Sequence, residues 1–105
     1  SRRGSSLTLG KMKLERTSTG KIELRLSDDA DRFKALARAV RAKLGGRWAE
    51  RLDYFDQSYW DLEVQGKIIT VHREHFLGVS VSCDDEPAKT ELLERLRLSF
   101  EAQAR

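Results

Sequence analysis

The chain has 105 residues, 39% hydrophobic and 35% charged, which is one domain's worth of sequence and enough to bury a core without disulfide or metal staples. No apolar run approaches the roughly 20 residues of a bilayer span, no charged start, apolar core and cleavage site form a secretory leader, and the single Cys83 excludes an internal disulfide or a multi-cysteine zinc site. The net charge of +3 divides unevenly: Ser1 to Arg51 carries 14 Lys/Arg against 6 Asp/Glu, a balance of +8, and Leu52 to Arg105 carries 6 against 11, a balance of −5.

Ser1 to Ser6 reads as a flexible basic tail, and residues 7–105 as a single α+β domain. Leu7 and Leu9 begin an apolar alternation that slips by one at Gly10, as a bulge requires, and continues at Met12 and Leu14. Thr17-Ser18-Thr19-Gly20 is a turn, after which Ile22, Leu24 and Leu26 resume the alternation, so the segment predicts a β-hairpin. Ser27-Asp28-Asp29 supplies oxygen acceptors and negative charge for a helix N-terminus. Phe33, Leu36, Ala37, Val40 and Leu44 then fall on one stripe, and Gly45-Gly46 ends the helix.

Arg47 to Ser58 shows no clear period and is expected to be irregular; its Trp48, Tyr54 and Phe55 are expected in the core, with a recognition surface as the alternative. Trp60, Leu62 and Val64 alternate with Tyr59, Asp61 and Glu63, and Gln65-Gly66 is a two-residue turn. Pairing Val64 with Lys67 sets Leu62 opposite Ile69, Trp60 opposite Val71, Tyr59 opposite His72 and Asp61 opposite Thr70. Val79, Val81 and Cys83 extend the inner face after a turn around Glu74 to Phe76, and Cys83 is expected to be a small core residue. Asp84-Asp85-Glu86-Pro87 opens a last helix running to Gln103, with Leu92, Leu93, Leu96 and Phe100 inward. The order ββαβββα predicts an antiparallel sheet with two helices packed on one face, and the opposite face open.

Chemically able residues concentrate on that open face. Tyr59, Asp61, Thr70 and His72 form the candidate binding set, because a Tyr–His–Asp patch joins apolar area to hydrogen-bonding tips. The same patch is the basis of a hydrolase-like enzyme reading built on His72, for which the sequence supplies no obvious nucleophile or oxyanion site. His72 and His75 stand three apart on a strand and turn, a spacing that sets them on opposite faces, so no metal site is expected. No Gly-rich phosphate loop precedes a helix, and no cofactor is implied. Lys34, Arg38 and Arg41 line the first helix beside its apolar stripe and supply the contacts for a nucleic-acid reading, although no motif of the common nucleic-acid modules is present.

The run Tyr59-Trp60-Asp61-Leu62-Glu63-Val64, Gly66, and Ile69-Thr70-Val71-His72-Arg73-Glu74-His75-Phe76-Leu77-Gly78-Val79 resembles a pattern in small, uncharacterised bacterial single-domain proteins. That resemblance implies a bacterial origin and carries no activity with it. The size and layout are also similar to those of bacterial immunity proteins, small cytoplasmic domains that block a toxin by binding it. The expectation is therefore a non-enzymatic protein-binding module, immunity-like, in a reducing cytoplasm, with another protein as partner and no membrane. The alternative is a nucleic-acid-associated domain using the basic N-terminal half.

Overall fold

The computed structural model describes residues 12–103. The chain runs through β1 (Leu14–Arg16), β2 (Lys21–Ser27), a 3-10 turn (Ala30–Arg32), α1 (Phe33–Leu44), β3 (Arg47–Asp53), β4 (Gln57–Val64), β5 (Lys67–Glu74), β6 (Gly78–Asp84) and α2 (Pro87–Gln103). The basic tail and the slip at Gly10 lie outside the described residues.

All strand pairs are antiparallel, and the sheet order is β1-β2-β6-β5-β4-β3. The topology follows from two local events. The Thr17–Gly20 turn folds β1 onto β2, with the Thr17 hydroxyl accepting the Lys21 N–H at 3.1 Å. Then α1 carries the chain across the sheet to its far edge, and a four-strand meander returns until β6 lies beside β2.

The start of α1 is shorter than the acid-rich sequence suggests. Ser27 Oγ accepts the Asp29 N–H at 3.0 Å and Asp29 Oδ1 accepts the Asp31 N–H at 2.9 Å. Short polar side chains that bond to their own backbone compete with the α-helical pattern. The result is one 3-10 turn before the helix proper. Between β4 and β5, Gln65 (φ +53°) and Gly66 (φ +80°) both sit in the left-handed region, the twist that a two-residue hairpin turn needs. Gly78 opens β6 at φ +103°, where an added Cβ would stand 2.0 Å from the Ser27 carbonyl oxygen. The close pass of β6 beneath the Ser27–Asp28 corner therefore requires glycine.

The segment Arg47 to Ser58, expected to be irregular, is a strand and the start of the next, so the described residues form six strands where the pattern predicts five. A register shift between Trp48 and Glu50 accounts for the hidden periodicity. Trp48 pairs with Leu62 on the core side, and Leu52 pairs with Tyr59 on the other side. Residues four apart on a regular strand share a face; the bulge at Ala49 puts these two on opposite faces.

Both helices pack on one side of the sheet. Phe33, Leu36, Ala37, Val40 and Leu44 of α1 and Leu92, Leu93 and Leu96 of α2 meet Ile22, Leu24, Trp60, Leu62, Val64, Ile69, Val71, Val79, Val81 and Cys83 in one buried cluster. Trp60 anchors it, with Phe33 and Trp48 edge-on at centroid distances of 4.8 and 5.3 Å. Cys83 is buried among these side chains, and burial pushes its thiol above the ordinary range. The placement of Tyr54 and Phe55 departs from expectation: Trp48 packs partly against the core, but Tyr54 and Phe55 are exposed in the β3–β4 turn. That turn projects beyond the end of the sheet, where neither helix reaches it.

Candidate functional site

The face away from the helices is built by the strand register. One cross-strand row is Tyr59 (β4), His72 (β5), Ser80 (β6) and Arg25 (β2); the next is Asp61, Thr70, Ser82 and Glu23. The predicted pairings of Tyr59 with His72 and of Asp61 with Thr70 both occur. The four candidate binding residues thus share one surface, all half-buried.

Tyr59 and His72 stack with ring centroids 4.5 Å apart and planes 8° from parallel. Gln57 Oε1 accepts from the Tyr59 hydroxyl and lies 3.4 Å from His72 Nε2, which ties the two rings together at one edge. Burial holds the His72 imidazole below the ordinary histidine pKa, against the opposing charges of Glu74 and Glu23. Thr70 donates to Asp61 Oδ1 at 2.7 Å. Beside these groups lies a pocket of about 280 Å³, walled by Tyr59, Ile68, Thr70, His72 and Ser82. Its rim is an ionic clasp, with Asp84 accepting from Lys21 Nζ at 2.8 Å and from Lys89 Nζ at 3.1 Å.

Sequence reasoning misses three parts of this surface. Gln57 shares the face of Tyr59 by simple alternation, and starting the strand at Tyr59 hides it. Lys21 and Lys89 come from distant elements and meet only through Asp84. The third part is an apolar tip formed by Tyr54 and Phe55 of the β3–β4 turn with Phe76 and Leu77 of the β5–β6 turn. Two hydrogen bonds to backbone carbonyls brace the two turns together: the His75 N–H donates to the Asp56 carbonyl and the Arg73 side chain donates from Nη2 to the Tyr54 carbonyl, each at 2.9 Å. Arg25 donates to the Leu77 carbonyl from β2. Tyr54 meets Tyr59 edge-on at 6.4 Å, so the tip continues into the stacked pair.

His72 has only Gln57 as a side-chain hydrogen-bond partner among the described residues, so no nucleophile is hydrogen-bonded to it. His75 stands in the turn beyond β5, stacked edge-on against Phe76. Among the described residues no three His, Cys, Asp or Glu side chains converge as a metal-ligand group, and no helix is long and apolar enough to cross a membrane.

Lys34, Arg38 and Arg41 are exposed on the outer side of α1, with the core and the sheet between them and His72. The two candidate sets are therefore separate surfaces. No protein-family model, curated protein or solved structure matches this chain.

Proposed function

We propose that this chain is a non-enzymatic protein-binding module whose partner covers the open face of the sheet. One observation carries this reading. Seven large apolar side chains are exposed among the described residues: Leu52, Tyr54, Phe55, Ile68, Phe76, Leu77 and Leu98. Leu52 and Ile68 lie on the open face by register, and Tyr54, Phe55, Phe76 and Leu77 form the tip at its end. Only Leu98 is elsewhere. Scattered apolar residues need no explanation, but six gathered on and beside one face that no described element covers mark a surface that another molecule covers.

Tyr59 and His72 are the central anchors, presenting flat, rigidly stacked area with hydrogen-bonding edges, and Asp61 and Thr70 supply the polar contacts beside them. The form suggested by the small size and α+β layout is an immunity-like inhibitor, a small cytoplasmic domain that blocks a toxin by binding it.

The test is affinity capture from the organism of origin with the wild type and with Tyr59→Ala and His72→Ala. A stoichiometric protein partner should be retained by the wild type and lost by the variants, while their folding stability stays within about 1 kcal/mol, as surface changes usually do. Equal capture by wild type and variants overturns the reading.

A further inference from the structure

We propose that the outer face of α1 is a second, separate binding surface, one that holds the phosphate backbone of nucleic acid without reading its sequence. From Arg32 to Arg51 the chain carries seven Lys/Arg and one acid, Glu50. Four of the strand cations of the basic half are already paired. Arg16 meets Asp85 at 2.7 Å, Lys21 meets Asp84 at 2.8 Å, Arg25 meets Asp28 at 3.7 Å and Arg47 meets Glu63 at 3.2 Å. Three of these four partners come from the acidic half, so the opposed halves neutralise each other across the sheet. The helix is left out of that exchange: Lys34, Arg38 and Arg41 form no ion pair among the described residues.

Arg41 donates its Nε to the Gly46 carbonyl at 3.1 Å, which leaves the two terminal nitrogens of an exposed side chain for other contacts. Lys34 shares a cleft with Asp31, Asp53 and Arg73, so Arg38 and Arg41 carry most of the stripe's unopposed charge. Arg51, exposed on β3 and lying over the Trp60 ring at 5.1 Å, adds a cation on the same side of the sheet. At about 1.5 Å of rise per residue, the stripe from Lys34 to Arg41 is about 10 Å long. A duplex presents one charge per roughly 1.7 Å of axis, so the stripe runs beside about six of them. Exposed Ala35 and Ala42 flank the cations on one side, and their short side chains let the helix lie close to a polyanion.

The chemistry of the face selects nucleic acid over other polyanions. A membrane-surface helix needs an apolar stripe to insert, and here that stripe is buried in the core. A protein partner needs aromatic or aliphatic anchors, and this face has none beyond alanine. Phosphate binding through counterion release needs only cations in a row. The lack of aromatic stacking groups and of groups placed to reach base edges makes the contact independent of sequence.

Fluorescence anisotropy with labelled duplex DNA and single-stranded RNA, each in two unrelated sequences, tests the proposal. Binding should be present at low salt and alike for the two sequences. Three phosphate contacts predict a loss of roughly 40-fold for the duplex and roughly 20-fold for the single strand between about 50 and about 200 mM salt. Arg38→Glu/Arg41→Glu should weaken low-salt binding at least tenfold, and Arg38→Gln/Arg41→Gln should weaken it in the same direction, with both variants checked for an unchanged unfolding midpoint. Tyr59→Ala/His72→Ala should leave it unaltered, so the protein-binding reading can fail without touching this one. No binding at low salt, full binding by the Gln variant, loss through the Tyr59 and His72 changes instead, or stronger binding to anionic phospholipid vesicles or polyglutamate would each overturn the proposal.

Discussion

His72 is half-buried on the face away from the two described helices, stacked on Tyr59 and tied to Gln57. Burial there disfavours the imidazolium and outweighs the attraction of Glu74 and Glu23, so the folded chain holds this proton less tightly than the unfolded chain does. The sign of the pH dependence follows. Above the ordinary histidine range neither state is protonated and the group contributes nothing; below it the unfolded state gains the proton first, and stability falls with pH. Denaturant midpoints measured from about pH 7.5 to about pH 5 should therefore drop more steeply for the wild type than for His72→Gln. Parallel profiles would mean that burial does not depress this histidine. Asp53 acts in a different window. Hydrogen bonds from Ser58 and Trp60 hold its carboxyl below the usual carboxylate range, so its stabilising effect is lost only on further acidification, and the two contributions separate along the pH axis.

At the scale of elements, the legible parts of the chain are those whose period is undisturbed. The α1 stripe and the β4–β5 register read directly from the sequence, because Gln65-Gly66 fixes the turn and one slip would have turned every apolar side chain outward. That register alone brings Tyr59 to His72. The strand β3 is hidden because it lies at the sheet edge, mostly exposed, with a bulge that throws Trp48 and Leu52 onto opposite faces. The tip is hidden for a different reason: Tyr54, Phe55, Phe76 and Leu77 come from two turns joined by one backbone bond and the Arg73 side chain across the sheet end, which no local pattern encodes. For α2 the predicted inward set holds for Leu92, Leu93 and Leu96, and Phe100 packs at its margin beneath Lys43. Leu96 and Leu98 stand two apart on this helix, one fully buried and one 52% exposed. Leu96→Ala should cost roughly 2–5 kcal/mol by transfer and cavity terms, and Leu98→Ala less than about 1 kcal/mol. Similar losses for both in chemical denaturation would place α2 differently on the sheet.

For the whole molecule, the sheet separates two kinds of surface. One side carries the helices and the unpaired cations of α1; the other carries the stacked pair, its pocket and the apolar tip. The tip is the part least explained by folding. Phe55 is fully exposed and Phe76 is 85% exposed, so neither is held by the core, and their exposure has a solvation cost that the free molecule does not recover. The turns that carry them are nonetheless fixed by the Asp56, Tyr54 and Leu77 carbonyl bonds. A fixed apolar tip loses little backbone freedom on association, which is the condition under which a small contact yields useful affinity. Phe55→Ser/Phe76→Ser should accordingly leave the unfolding free energy within about 1 kcal/mol, since no buried contact is removed. The same double variant should lose most of the partner capture attributed to the open face, and the loss should combine non-additively with His72→Ala, because residues serving one interface are coupled. If the tip is only a solvated pair of turns, the double variant will capture the partner as well as the wild type does, and the binding surface contracts to the stacked Tyr59–His72 pair and the pocket beside it.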